Sequence, residues 1–142
     1  MNKVELCEAL AATGDNLYDF AWLDETSGWL HRFQPCSNCH NGYSVAKLFI
    51  ATAIGLLWDE GKLSLDDPVG RFFPTDSPWR QVSVHHLLTH TSGIAPLTSC
   101  VGTPRERAAE EILARPLAYE TGTRVGYACL GYIVLGRLLE KV

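Results

Sequence analysis

The stretch SVAKLFIATAIGLLWDEGK, from Ser44 onward, limits the fold more than any other part of the chain. Val45, Leu48, Phe49, Ala53, Leu56 and Leu57 recur near helical spacing, while Ile50, Ile54 and Trp58 fill the other faces. A helix that is apolar on nearly all sides is predicted to be buried. Other elements must therefore surround it. Gly61, in DEGK, stands where a left-handed cap residue would stop it. With 142 residues, 46% of them hydrophobic, the chain can supply one domain with such a core.

Weaker signals place the remaining elements. Residues 3–12 read as a short helix ending near Gly14, within an N-terminal segment 1–16. The aromatic and aliphatic runs LYDFAWL and GWLHRF flank the turn-rich DETS and predict a β-hairpin over 17–33. By composition 34–42 is loop, and 43–142 is mainly helical. There, Pro68 suits a first helical position, and Ser83 suits the N-cap of a brief helix through Leu87 and Leu88 that Gly93 would end. Thr103 and Glu106 form a capping-box pattern around Pro104, on a helix that should stop before Pro116. The last segment places Leu130, Ile133, Val134 and Leu138 on one helical side and has no C-cap, which suggests a chain cut from something longer.

Charge and cysteines narrow the function. A net charge of −4 with scattered Lys and Arg offers no basic face, so neither nucleic acid nor an anionic membrane is an expected partner. No run approaches the roughly 20 apolar residues of a membrane span, and the N-terminus shows no signal-peptide core. The expectation is a soluble, cytoplasmic protein. Its five cysteines are then free thiols rather than a disulfide framework. Cys36, Cys39 and His40 match a haem-attachment pattern and, with His85, His86 or His90, half a zinc site; a plain loop with two thiols is the favoured reading, with no cofactor or metal. The three later histidines are expected to pack structurally, and Asp66, Asp67 and Arg124 to be turn or surface charges.

Ser44 and Lys47 admit two readings. A serine at a helix start can be a plain cap, with the lysine a solvated helix residue. It can also be a nucleophile, because the free N–H groups and positive dipole end of the first turn favour negative charge near its oxygen. Lys47, one turn further on the same face, can reach that oxygen. Its apolar neighbours Val45, Leu48 and Phe49 would lower its pKa.

Three segments in order decide between them. YSVAKLFIATAIGLLWDEGKLSLDDPVGRFFP, VSVHHLLTHTSGI and TGTRVGYACLGYIVLGRLLEKV together resemble the serine β-lactamase and penicillin-binding-protein-like hydrolases, in the class C-like branch with esterases and D-aminopeptidases. The first resembles the family's Ser-x-x-Lys helix, the second its HLLTHTSG connector, and the third its Tyr-x-Asn segment. The resemblance implies an α+β fold of the β-lactamase/transpeptidase type, here as one incomplete domain over 1–142: an N-terminal hairpin, a mainly helical region, and missing C-terminal sheet strands. It implies Ser44 as nucleophile, Lys47 and Tyr127 as the proton-handling pair, and a small-molecule or peptide-like ester, amide or β-lactam as acyl substrate. Cys129 takes the position of the family's substrate-holding asparagine, and a thiol lacks the paired donor and acceptor of an amide. The family's late Lys-Thr-Gly or His-x-Gly strand, which completes the oxyanion hole, does not follow the third segment in this sequence. The alternative to an enzyme is thus a non-catalytic truncated remnant or a fragment. An incomplete sheet also predicts self-association through exposed strand edges.

Overall fold

A computed structural model of the chain describes residues 2–35, 41–76, 78–95 and 104–142. It divides into two compact units, Met1–Asn41 and Gly42–Val142. In the first, α1 (Lys3–Ala11) starts in a capping box: the Asn2 side chain accepts from Val4 and Glu5 N–H, and Glu5 reaches back to the Asn2 N–H. The hairpin pairs β1 (Asp19–Leu23) with β2 (Gly28–Arg32), antiparallel, with Trp22 opposite Trp29. Asp24 closes the turn by accepting from the backbone N–H groups of Thr26 and Ser27 and from both hydroxyls. Those bonds, the Thr26 backbone bond first, hold its carboxyl far below the usual carboxylate range. Within this unit α1 lies by Trp29, His31 and Phe33, where its one buried side chain is Cys7.

The second unit holds the core. α2 (Ala46–Asp59) ends in a Schellman turn: Gly61, φ +69, donates to Trp58 O and Lys62 to Leu57 O. The next loop is tied back by Val69 N–H to Val82 O and Val84 N–H to Asp67 O. Pro68 there is an extended residue preceding a 3-10 turn, Val69–Arg71, and so lies just outside the first helical position. α3 (Val84–Leu88) is capped by Ser83 as expected, with His86 in the reciprocal role normally taken by Glu. After α4 (Ala108–Leu113), which stops short of Pro116, α5 (Cys129–Leu139) completes the unit. Trp79, Ile54, Leu87, Ile112, Val134, Leu135 and Leu138 are fully buried between these elements. Trp79 also donates its indole N–H to Arg115 O.

Two further expectations change. α2 buries only Ile54, while Leu48 (66% exposed), Phe49 (74%) and Leu56 (59%) face outward, because its partner α5 meets a single line of its side chains. The helix is apolar all round but packed on one side. Secondly, α3 is ended by His90 rather than Gly93: at φ +58, His90 donates to Leu87 O and Thr91 to His86 O, a Schellman turn without glycine. Gly93, φ +95, is required for a different reason, since a side chain there would strike the Tyr119 carbonyl. Ile133, as expected, packs against the core beside the buried stripe Leu130, Val134 and Leu138, though itself half-buried. The Cys36–Cys39–His40 pattern and Thr103 of the proposed capping box lie outside the described residues.

Candidate active site

Ser44 is delivered by a strained turn. Tyr43 has φ +42, a region that costs a bulky residue about 1–3 kcal/mol, and the chain makes a 3-10 turn over Tyr43–Val45 before α2 begins. Neither that turn nor α2 has a side-chain cap, so the Ser44 hydroxyl is not used to start the helix. It forms a short hydrogen bond with the hydroxyl of Tyr127, which lies just before α5. Residues 83 positions apart thus meet oxygen to oxygen.

Lys47 joins them from the first turn of α2. Its Nζ donates to Ser44 Oγ and to Cys129 Sγ, each at 3.4 Å, and lies 5.0 Å from the centre of the Tyr127 ring and 5.6 Å from that of Tyr132. All four residues singled out from the sequence, Ser44, Lys47, Tyr127 and Cys129, therefore share one cluster. The expected downward shift of the lysine is reversed. The neighbours invoked for it, Val45, Leu48 and Phe49, are exposed. Hydrogen bonding to Tyr127 outweighs the partial burial and, helped by Cys129, raises the Lys47 pKa above the ordinary 10.5. Lys47 is accordingly an ammonium at neutral pH, suited to holding negative charge rather than to accepting a proton.

Sequence reasoning gave His90 only a packing role, and the structure gives it a more specific one. Its left-handed backbone turns the chain so that its carbonyl accepts Gly126 N–H at 2.8 Å and its Nδ1 accepts Ala128 N–H at 3.3 Å. These two bonds bracket Tyr127. The imidazole lies 4.6 Å from the Tyr127 ring and 5.3 Å from that of Tyr132, whose hydroxyl donates to Leu88 O. Burial first, then the Lys47 charge, push the His90 pKa below 6.5, so the ring stays neutral. The loop beyond is laced to the same connector by Gly122 N–H to Thr91 O and Ala118 N–H to Gly93 O. A positive-φ non-glycine residue is invisible to spacing rules, although the HLLTHTSG segment marked its position.

His86 caps α3, Arg124 stacks 4.1 Å over the Tyr119 ring, and Asp67 pairs with Arg71 while accepting Ser64 N–H. None of them enters the cluster. Among the described residues no group of three or more His, Cys, Asp or Glu is arranged to hold a metal, and no helix is long and apolar enough to cross a membrane.

Comparisons with known proteins show the family. A family model described as Beta-lactamase matches residues 38–142. Penicillin-binding protein 4 of Amycolatopsis lactamdurans is 36% identical over 110 residues, 68% of this chain and 28% of that protein. Esterase EstB of Burkholderia gladioli is 44% identical over 57 residues, 36% of this chain and 14% of that one. The crystal structure of a putative β-lactamase from Bacteroides dorei DSM 17855 superposes with a TM-score of 0.79 over 99% of this chain and 46% of its own, at 24% identity, a likeness of fold. The chain thus spans less than half the length of each.

Proposed function

We propose that this chain, which belongs to the β-lactamase family, carries the acylation centre of a serine hydrolase, with Ser44 as nucleophile, Tyr127 as proton carrier and Lys47 as fixed positive charge. The observation that supports this reading is the contact of Ser44 Oγ with both Tyr127 Oη and Lys47 Nζ, because a serine hydroxyl attacks an acyl carbon only when its proton has somewhere to go.

In that reading the phenolate form of Tyr127, with the Lys47 ammonium as counter-ion, accepts the Ser44 proton as Oγ bonds to the acyl carbon and the carbonyl electron pair moves onto oxygen. The positive end of α2 and Lys47 favour the charge that develops there. As the tetrahedral adduct collapses, Tyr127 returns the proton to the departing alcohol or amine, leaving an ester on Ser44. Water then repeats the sequence: it gives a proton to Tyr127 as its oxygen bonds the acyl carbon, and Tyr127 returns that proton to Ser44 Oγ as the Oγ–carbon bond breaks and the acid leaves. His90 acts as a positioning residue: it touches Tyr127 and the backbone on either side, and no reacting atom.

One observation favours the non-catalytic alternative: Cys129, which the resemblance sets in place of the family's substrate-holding asparagine, has its thiol engaged by Lys47. Labelling with a fluorophosphonate probe separates the two. Labelling that is lost in Ser44→Ala, together with p-nitrophenyl acetate hydrolysis lost in the same variant, supports the enzyme. Equal, background-level signals in both proteins refute it.

A further inference from the structure

Beside the cluster lies a hollow of about 460 Å³, within the range of small-molecule sites, where the start of α2 and one face of α5 diverge near α4. Lys47 and Cys129 form part of its wall, and Lys47 also contacts the Ser44 hydroxyl, so the hollow and the cluster share these two side chains. Most of the rest is apolar, with Ala46 and Ile50 from α2, Ala108 from α4, and Ile133 and Gly136 from α5, while Tyr132 joins the wall and Arg137 and Glu140 close its far end. We infer that this hollow binds the unbranched aliphatic chain of an acyl group carried on Ser44, making the preferred substrate a medium-chain ester. This rests on the acyl-transfer reading above and selects among its substrate classes.

Three features point to an aliphatic chain. The hollow follows one face of α5 from Cys129 to Glu140, about 16 Å at a rise of about 1.5 Å per residue, which is the shape of a chain rather than of a compact ring system. A peptide laid there would find no hydrogen-bond partner along Ile50 and Ile133, whereas methylenes need none. At the far end Arg137 is already paired with Glu140, so the tail there needs no charge. Gly136 keeps the space open. It sits inside α5, where glycine costs about 1 kcal/mol against alanine. A Cβ at Gly136 would meet only Ile50 Cδ1, at 3.8 Å, so neither packing nor backbone conformation demands the glycine.

The test is a series of p-nitrophenyl acetate, butyrate, hexanoate and octanoate with the whole chain and its Gly136→Ala and Gly136→Leu variants, scored as the octanoate-to-acetate ratio of kcat/KM within each protein. In the wild type the ratio should climb by up to about fourfold per methylene, the equivalent of about 0.8 kcal/mol per buried CH₂. It should fall in Gly136→Ala, whose methyl fits, and further in Gly136→Leu. A ratio near one in the wild type, with acetate hydrolysis still lost in Ser44→Ala, overturns the chain pocket and leaves the catalytic reading standing. A second readout does not depend on turnover. Octanoate, and not acetate, should shield Cys129 from methyl methanethiosulfonate, read by peptide mass at that residue, and Gly136→Leu should remove the shielding. Equal modification with octanoate and with acetate overturns the proposal even where no hydrolysis is found.

Discussion

Replacing Gly126 with alanine sets a methyl group against Tyr119, one residue before the tyrosine of the site. A carbon built there overlaps the Tyr119 hydroxyl oxygen and lies 3.1 Å from Cζ and 3.4 Å from Cε1. The ring has little room to retreat, since Arg124 covers its face at 4.1 Å. Overpacking of this kind costs about 1–3 kcal/mol. The reduced freedom of the unfolded chain returns about 0.4–1 kcal/mol, so a net loss of about 1–2 kcal/mol is expected. The Tyr119 hydroxyl is itself buried with no hydrogen-bond partner among the described residues. Tyr119→Phe should therefore stabilise the fold, by about 1 kcal/mol, by deleting an unsatisfied group. Because the same deletion removes the oxygen that the new methyl group would strike, the double variant should be more stable than the two single changes sum to, by about 1–2 kcal/mol. Urea denaturation of the four proteins measures the cycle. Additivity within about 0.5 kcal/mol would refute the steric argument. Fluorophosphonate labelling should fall in Gly126→Ala, as Gly126 N–H shifts from His90 O and carries Tyr127 away from Ser44, and recover in the double variant.

Further outcomes follow from the charges and from Cys129. Because Tyr127 and Cys129 raise the Lys47 pKa, the charge that steadies this cluster is present below 10.5 and lost only as pH rises through the higher folded value. Melting temperature against pH should therefore decline on the alkaline side more in wild type than in Lys47→Met, and Lys47→Arg should keep more acylation than Lys47→Met. The depressed His90 pKa has the opposite sign. Its contribution is whole above 6.5 and drains away as pH falls toward the lower folded value, with His86, lowered by burial and by His85, acting in the same window. His90→Asn should flatten part of the acid-side slope of melting temperature and reduce labelling of Ser44; an unchanged slope would remove His90 from the account. Cys129→Asn, which supplies an amide donor and acceptor beside Lys47, should raise kcat/KM about threefold to tenfold, the worth of one net hydrogen bond.

How legible the site was depended on the kind of information each residue carries. Ser44 and Lys47 are neighbours on one helical face, so their spacing alone brings them together, and the structure keeps them at 3.4 Å. Tyr127 lies 83 positions away, where no periodicity reaches, and only the resemblance of three ordered segments placed it in the same site. Local rules did well where the cause was local: the Ser83 cap, the Gly61 terminator and the DETS turn are each set by a few adjacent atoms. They failed where one residue answers to partners on another element. His90 adopts φ +58 without being glycine because its carbonyl and Nδ1 both bond to the 126–128 segment, and that double bond is what outweighs the local backbone preference. Lys47 departs from expectation for a related reason. Apolar neighbours in sequence are not apolar surroundings in space: Val45, Leu48 and Phe49 are exposed and withhold little water from Lys47. What fixes the charge of Lys47 is the phenol and the thiol brought by α5 and its leading turn, so the electrostatics of this site belong to the packing of α5 on α2 rather than to either helix alone.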